Sequence, residues 1–194
     1  MNTSFSLILP LVLGCFLQQL AAQPEPTAAE RLQHALRLAD LYNWAGAGPD
    51  FAAAEKMYLA AGDQRNALYA RLGVIRAGSE QHALPETSAQ LANELASNPL
   101  LQSDKNLRMF CLIVKGDVDG EINAAAMRED WQQVAALARD LGNDRWQYRA
   151  LAQLGIAAFY DGDLQTARRN VGAALEQATK NGDAGAQIRY MTAL

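Results

Sequence analysis

Leu154-Gly155-Ile156-Ala157-Ala158-Phe159-Tyr160-Asp161-Gly162-Asp163-Leu164-Gln165-Thr166-Ala167-Arg168-Arg169-Asn170-Val171-Gly172-Ala173-Ala174-Leu175 is two stripes around a turn. Before Gly162-Asp163, Ala150, Leu151, Leu154 and Ala158 fall at helical spacing. After it, Ala167, Val171, Ala174 and Leu175 do the same. Apolar residues at i, i+3, i+4 and i+7 mark the buried face of a helix, so this stretch reads as two helices folded back on each other.

The same unit recurs outward from here. Asp63, Asp104, Asp144 and Asp183 each stand where a new helical stripe begins, at intervals of 41, 40 and 39 residues. An aspartate at a helix start accepts from free backbone N–H groups and favours the positive end of the helix. A fixed period of this size is the sequence mark of a solenoid. The spacing predicts units at 23–62, 63–103, 104–143 and 144–182, with a partial fifth unit over 183–194. Each full unit should hold two helices. In the first, Gly46-Ala47-Gly48-Pro49 is expected to break the chain and Asp50 to cap a second stripe through Phe51, Ala54 and Tyr58. In the second, Leu68, Leu72 and Ile75 share a face, and Pro85 opens the partner helix with Leu91 and Leu95. The third carries Leu107, Phe110, Cys111 and Val114, then Trp131, Val134 and Leu137. No alternating stretch is long enough to argue for a strand.

Leu154-Gly155, Ala158, Gly162-Asp163, Ala167, Val171 and Ala174-Leu175 together resemble a tetratricopeptide repeat. The family places a small residue twelve positions after the glycine of Leu-Gly, and Ala167 is there. Leu72-Gly73 repeats the pair in the second unit, whereas the third has no clear Leu-Gly and the period is nearer 40 than the family's 34. The resemblance covers about 27–194. It implies an all-α chain: a right-handed α-solenoid of antiparallel helix pairs, about four and a half units long. The alanine-rich style also resembles repeat regions of exported or membrane-linked bacterial signalling proteins.

Composition sets the outer bounds. Half of the 194 residues are hydrophobic, enough for a domain with a real core. With 17 Lys+Arg against 21 Asp+Glu the net charge is −4, a poor match to nucleic-acid phosphates. Two cysteines, Cys15 and Cys111, exclude a disulfide scaffold. No charged residue precedes Glu25, and Phe5 to Leu20 is mostly apolar, followed by Ala21-Ala22. Residues 1–22 read as a signal peptide cleaved near Ala22, and hence as export to a periplasmic or extracytoplasmic compartment in a bacterium. The start departs from that pattern in lacking Lys or Arg; an uncleaved anchor, for which the run is short and interrupted by Pro10, Gln18 and Gln19, and then a cytosolic start are the weaker readings. Val12-Leu13-Gly14-Cys15 resembles a lipobox that would lipidate Cys15, although a cysteine midway through the apolar run is the plainer reading. Contact with a membrane is expected only through one of these two routes.

No catalytic constellation, cofactor motif or metal-ligand spacing is present in the sequence. His34 and His82 lack ligand neighbours, and Asp117-Val118-Asp119-Gly120-Glu121 lacks the closing glutamate of a calcium loop, since position 128 is Arg128. Cys111 belongs to the apolar face. The leading expectation is a non-catalytic scaffold that binds a protein or peptide. The resemblance puts the groove on first-helix positions, which by counting are Gln33, Leu36, Asp40, Asn43 and Trp44, and Arg149, Ala152, Ile156, Phe159 and Tyr160. Among them Asp40, Asn43, Trp44, Arg149 and Tyr160 combine hydrogen-bonding or aromatic anchors with an expected exposed face; for Trp44 and Tyr160, packing between units is an equal alternative. The second expectation is a sensory or regulatory arm of a larger signalling protein, because the partial fifth unit has a first-helix stripe and no partner helix.

Overall fold

The computed structural model of the chain describes residues 25–193. The expected signal segment, including Cys15 and Ala22, lies outside the described residues. Within them are ten α-helices and no strand: α1 (Ala28–Asp40), α2 (Trp44–Ala60), α3 (Gln64–Gly78), α4 (Leu84–Ser97), α5 (Pro99–Ser103), α6 (Lys105–Asp119), α7 (Ala124–Asp140), α8 (Asp144–Tyr160), α9 (Leu164–Lys180) and α10 (Ala184–Met191). None of these helices is long and apolar enough to cross a membrane. Neighbours along the chain pack together from α1 to α3 and again from α6 to α10. The core is densest around α6, where Leu107, Phe110, Cys111 and Val114 are buried as the stripe requires.

One turn geometry recurs at four joints. Gly62, Gly142, Gly162 and Gly182 have φ between 63° and 83°, the left-handed region that glycine enters without a Cβ clash. The next residue donates its N–H back across the helix end, as in Asp63 to Tyr58 O at 2.9 Å and Asp183 to Ala178 O at 2.9 Å. That same residue caps the following helix: Asp63, Asn143, Asp163 and Asp183 accept from the backbone N–H three positions on, at 3.0–3.2 Å. Three residues thus satisfy the orphan carbonyls of one helix and the orphan amides of the next. The joints at Gly142, Gly162 and Gly182 are 20 residues apart, so the interval near 40 is two equal helix-and-turn steps. The cap before α8 is Asn143, not Asp144, which occupies the first helical position.

Three elements differ from the sequence reading. Gly46-Ala47-Gly48-Pro49 does not break the chain, and α2 runs straight through it. Asn43 caps α2, accepting from Gly46 N at 3.0 Å, and buried Ala47 and Phe51 hold the first turns in place. Pro49 removes only the bond to the Ala45 carbonyl, and Ala45 is exposed to solvent. Asp50 therefore caps nothing; it accepts from Arg31 Nη1 at 3.0 Å and lies 2.5 Å from His34 Nδ1, tying α2 to α1. Burial would raise the Asp50 carboxyl, but His34 and Arg31 outweigh that and hold it below the ordinary value.

The second difference lies in unit 63–103. Asn98-Pro99 divides its second half into α4 and α5, and α4 packs against α6 rather than forming a close hairpin with α3. Its tie to α3 is the Arg71–Glu94 ion pair at 2.6 Å. The third concerns the glycines. A Cβ on Gly155 would meet Val171 Cγ2 at 2.9 Å and Ala167 O at 3.1 Å, so Gly155 marks the close approach of α8 to α9. Gly73 instead lies under the ring of Phe51, on the preceding helix α2. The third-unit counterpart of Gly155 is Gly116, which lies against Trp131 on α7 and has Lys115 before it where a leucine was sought.

Candidate functional site

The turn between α1 and α2 has the joint geometry described above, with Tyr42 where the other joints have glycine. Its φ is 59°, and no other non-glycine residue described is positive. A tyrosine in that region is strained, and it persists only where surroundings hold it. Here they do. The guanidinium of Arg149 stands 5.3 Å from the Tyr42 ring centroid and that of Arg189 4.7 Å from it, so α8 and α10 both grip the turn. Arg149 Nη2 donates to the Asp40 carbonyl at 3.0 Å, and Arg145 Nη1 to the Asp40 carboxylate at 2.7 Å. A Cβ on Gly185 would strike the Asp40 carbonyl, so only glycine lets α10 come this close.

Asp183 anchors this node. Arg149 donates to both of its carboxylate oxygens at 2.9 and 2.7 Å, and Tyr148 Oη adds a third bond at 2.9 Å. Burial would push the Asp183 carboxyl up, but the Arg149 and Arg145 hydrogen bonds prevail and hold it far below the usual carboxylate range. Burial, reinforced by the Asp183 carboxylate, pushes the Tyr148 hydroxyl up to about 12.

The structure therefore brings three of the expected groove residues together, but against one another. Arg149 is only 2% exposed, contrary to the expected exposed face. Trp44 stacks on Phe51 with centroids 6.3 Å apart, and Arg76 lies 5.5 Å from its ring. The crevice left between Trp44, Trp131, Trp146 and Arg149 has about 10 Å³, room for one water. Asn43 is exposed, yet its side-chain oxygen is occupied in capping α2. Asp40 is half-buried under Arg145 and Arg149. The first turn has filled the face on which a ligand was expected.

Tyr160 is placed otherwise. It is 58% exposed and lines an open groove of about 590 Å³ with Ile156 and Phe159, two more of the counted positions. Leu164 and Val171 from α9 complete an apolar floor, and Phe159 and Leu164 stand out at 58% and 61% exposed. Arg168 and Arg189 are the only charged groups in the lining, and the last residues of the described chain, Thr192 and Ala193, close one end. Sequence reasoning missed Leu164, Arg168 and Arg189. Their signal was an exposed leucine and two arginines with no acidic residue three or four positions away on the same helix face.

Other chemistry-bearing groups are accounted for by packing. Lys115 Nζ bridges the buried carboxylates of Asp119 at 2.6 Å and Asp130 at 3.0 Å. Burial pushes the Asp130 carboxyl up to about 7; Lys115 opposes and Asp119 adds to the rise. Asp117, from the segment that faintly resembles a calcium loop, accepts from Arg76 at 2.9 Å. Among the described residues no group of His, Cys, Asp and Glu is placed to hold a metal ion. Burial pushes the Cys111 thiol up to about 12, which leaves it protonated and unreactive. No family model matches the chain, and no curated protein matches it.

Proposed function

We propose that the chain is a non-catalytic binding scaffold of an exported protein: a right-handed, tetratricopeptide-like solenoid that holds a protein partner in the groove between the ends of α8, α9 and α10. The observation that carries this reading is the groove itself. It offers about 590 Å³ of open space over a floor of exposed large apolar side chains that nothing else in the described chain covers. Exposed apolar surface of this kind, rimmed by polar groups, is characteristic of sites where another molecule docks. The repeated turn geometry and the contact of Gly155 with Ala167 support the family likeness. The protonated Cys111 thiol and the paired buried carboxylates favour binding over catalysis.

The test is selection of a displayed random-peptide library on the parent protein, with counter-selection on Phe159→Asp. Phe159 faces solvent, so the variant keeps the urea midpoint of the parent. Enrichment of peptides with apolar anchors that are lost on Phe159→Asp is the expected result. No enrichment, or peptides retained equally by both proteins, would overturn the reading.

A further inference from the structure

At the residue of positive φ, four of the five recurring joints face open space: a Cβ on Gly62, Gly142, Gly162 or Gly182 would meet nothing within 4 Å. The fifth, at Tyr42, is docked. Arg145 takes the Asp40 carboxylate at 2.7 Å and Arg149 takes the Asp40 carbonyl at 3.0 Å. The guanidiniums of Arg149 and Arg189 lie 5.3 and 4.7 Å from the centre of the Tyr42 ring. Leu41, between the two anchors, is 58% exposed. α1 packs on α2 and α2 on α3, but neither α1 nor α2 packs along α8 or α10. What α8 and α10 hold is therefore a short segment, read through a carboxylate, a carbonyl and an aromatic ring, and not a helix face.

The receiving side is built without the turn. Arg145 and Arg149 are four residues apart, on one face of α8. Asp183 holds both, accepting from Arg145 at 3.2 Å and from Arg149 at 2.9 and 2.7 Å. These bonds do not involve the turn, so the guanidiniums remain oriented without it. Two guanidiniums on one carboxylate leave charge for a second, which Asp40 supplies. The turn is the strained side of the contact. Tyr42 is held at φ 59°, and behind it Trp44 Nε1 is buried with no acceptor. A preorganised cationic site that holds a strained, tethered segment through a few groups stands to it as a binding site stands to an internal competitor.

We propose that Asp40-Leu41-Tyr42 is an autoinhibitory contact: within the chain it occupies a site on α8 and α10 whose ligand is a partner-protein segment with a carboxylate and, two residues later, an aromatic ring. Arginine suits both halves of such a ligand, because its fork pairs with a carboxylate and its planar cation lies on a ring. A segment from outside is free of the left-handed turn that the chain's own connection imposes on Tyr42. Its binding releases the first turn from α8 and α10, so occupancy of the site is coupled to opening of that contact. The site is distinct from the groove at Phe159, although Arg189 borders both.

The probe is a fluorescein-labelled peptide that copies residues 38–43, Leu-Ala-Asp-Leu-Tyr-Asn, beside a control with alanine for both its Asp and its Tyr. Binding is followed by fluorescence anisotropy to the parent, to Asp40→Ala and to Asp40→Ala/Tyr42→Gly, the last of which copies the glycine of the other joints. Far-ultraviolet circular dichroism establishes that each variant is folded, and the single variant carries the test alone if the double one is not. The probe should bind the folded variants at least about tenfold more tightly than the parent, whose own turn competes at high effective concentration. Adding Arg145→Gln should remove the gain, and the control should bind none of the proteins. No binding to a folded variant, or equal affinity for variant and parent, overturns the autoinhibitory contact. Equal binding of probe and control overturns the acidic and aromatic ligand. Binding to the variants that is lost on Phe159→Asp places the peptide in the other groove and overturns the site. A concentration-dependent dimer of the parent in sedimentation velocity that Asp40→Ala disperses gives the site to the same turn of a second copy and overturns the outside partner.

Discussion

Asp183 caps α10, accepts from Arg149, Arg145 and Tyr148, and so serves a helix end and a long-range contact with one carboxylate. Removing its charge leaves buried Arg149 with only the half-buried Asp40 carboxylate, 3.8 Å away, as counter-charge, and breaking a buried pair in this way typically costs ~3–5 kcal/mol. Asp183→Asn should therefore lower the urea midpoint sharply at neutral pH. The carboxyl is held below its unfolded value, so its stabilisation is present above about pH 4 and fades as the pH falls further. The gap between parent and variant should close in acid, and a gap independent of pH would contradict the assignment. Tyr42 makes the opposite point. Tyr42→Gly would relieve a left-handed strain of ~1–2 kcal/mol but empty a site of aromatic size, worth ~3–5 kcal/mol. Net loss of stability is expected; a gain would mean the ring contributes little. The caps at Asp63, Asp104 and Asp183 were legible because short acidic side chains do one job well at a helix start. Tyr42 was not, because nothing local favours it there; Arg149 and Arg189, more than 100 residues away, hold it.

Among the elements, the pairing of α8 with α9 was readable to the residue. Gly155 and Ala167 do approach, and Ala167 is 7% exposed. Ala167→Leu should overpack this contact at a cost of ~1–3 kcal/mol, while Arg168→Leu on the exposed side should cost under ~0.5 kcal/mol. Equal urea midpoints for Ala167→Leu and parent would place Ala167 off the contact. The pairing of α6 with α7 adds a titration. Asp130 shares Lys115 with Asp119, and its carboxyl is raised to about 7. A raised acid contributes stability below its unfolded value, near pH 4, and loses it as the pH climbs through the folded value. Between about pH 5 and about pH 7.5 the parent should lose on the order of 2 kcal/mol relative to Asp130→Asn. Parallel stability profiles for the two proteins would show that Asp130 is ionised throughout. Elsewhere local signals misled. Gly46-Ala47-Gly48-Pro49 has breaker composition, but its one missing hydrogen bond falls on a solvated carbonyl while Ala47 and Phe51 are buried, so packing decides. Leu72-Gly73 looks like Leu154-Gly155 but approaches the helix before it, because α4 has moved over to α6.

Across the whole molecule, the helical class and the period near 40 were visible, since both follow from apolar spacing and turn chemistry repeated along the chain. The closure of the first turn on α8 and α10 was not. It depends on Asp40 meeting Arg145, Arg149 and Gly185 across more than 100 residues, and pair contacts of that range leave no periodic trace. The face expected to bind is filled by Tyr42 and Trp44, whereas Tyr160 and Phe159 line an open groove. That closure is tested most directly by spin labels at Leu41→Cys and Ile188→Cys. Both positions are exposed, at 58% and 67%, and the one other cysteine described, Cys111, is buried and protonated. Pulsed electron–electron resonance should give one narrow, short distance, and adding Arg149→Gln should broaden it. A broad or long distribution in the parent would mean that the two ends stand apart, that the inner face is open, and that the groove at α10 is not the molecule's binding surface.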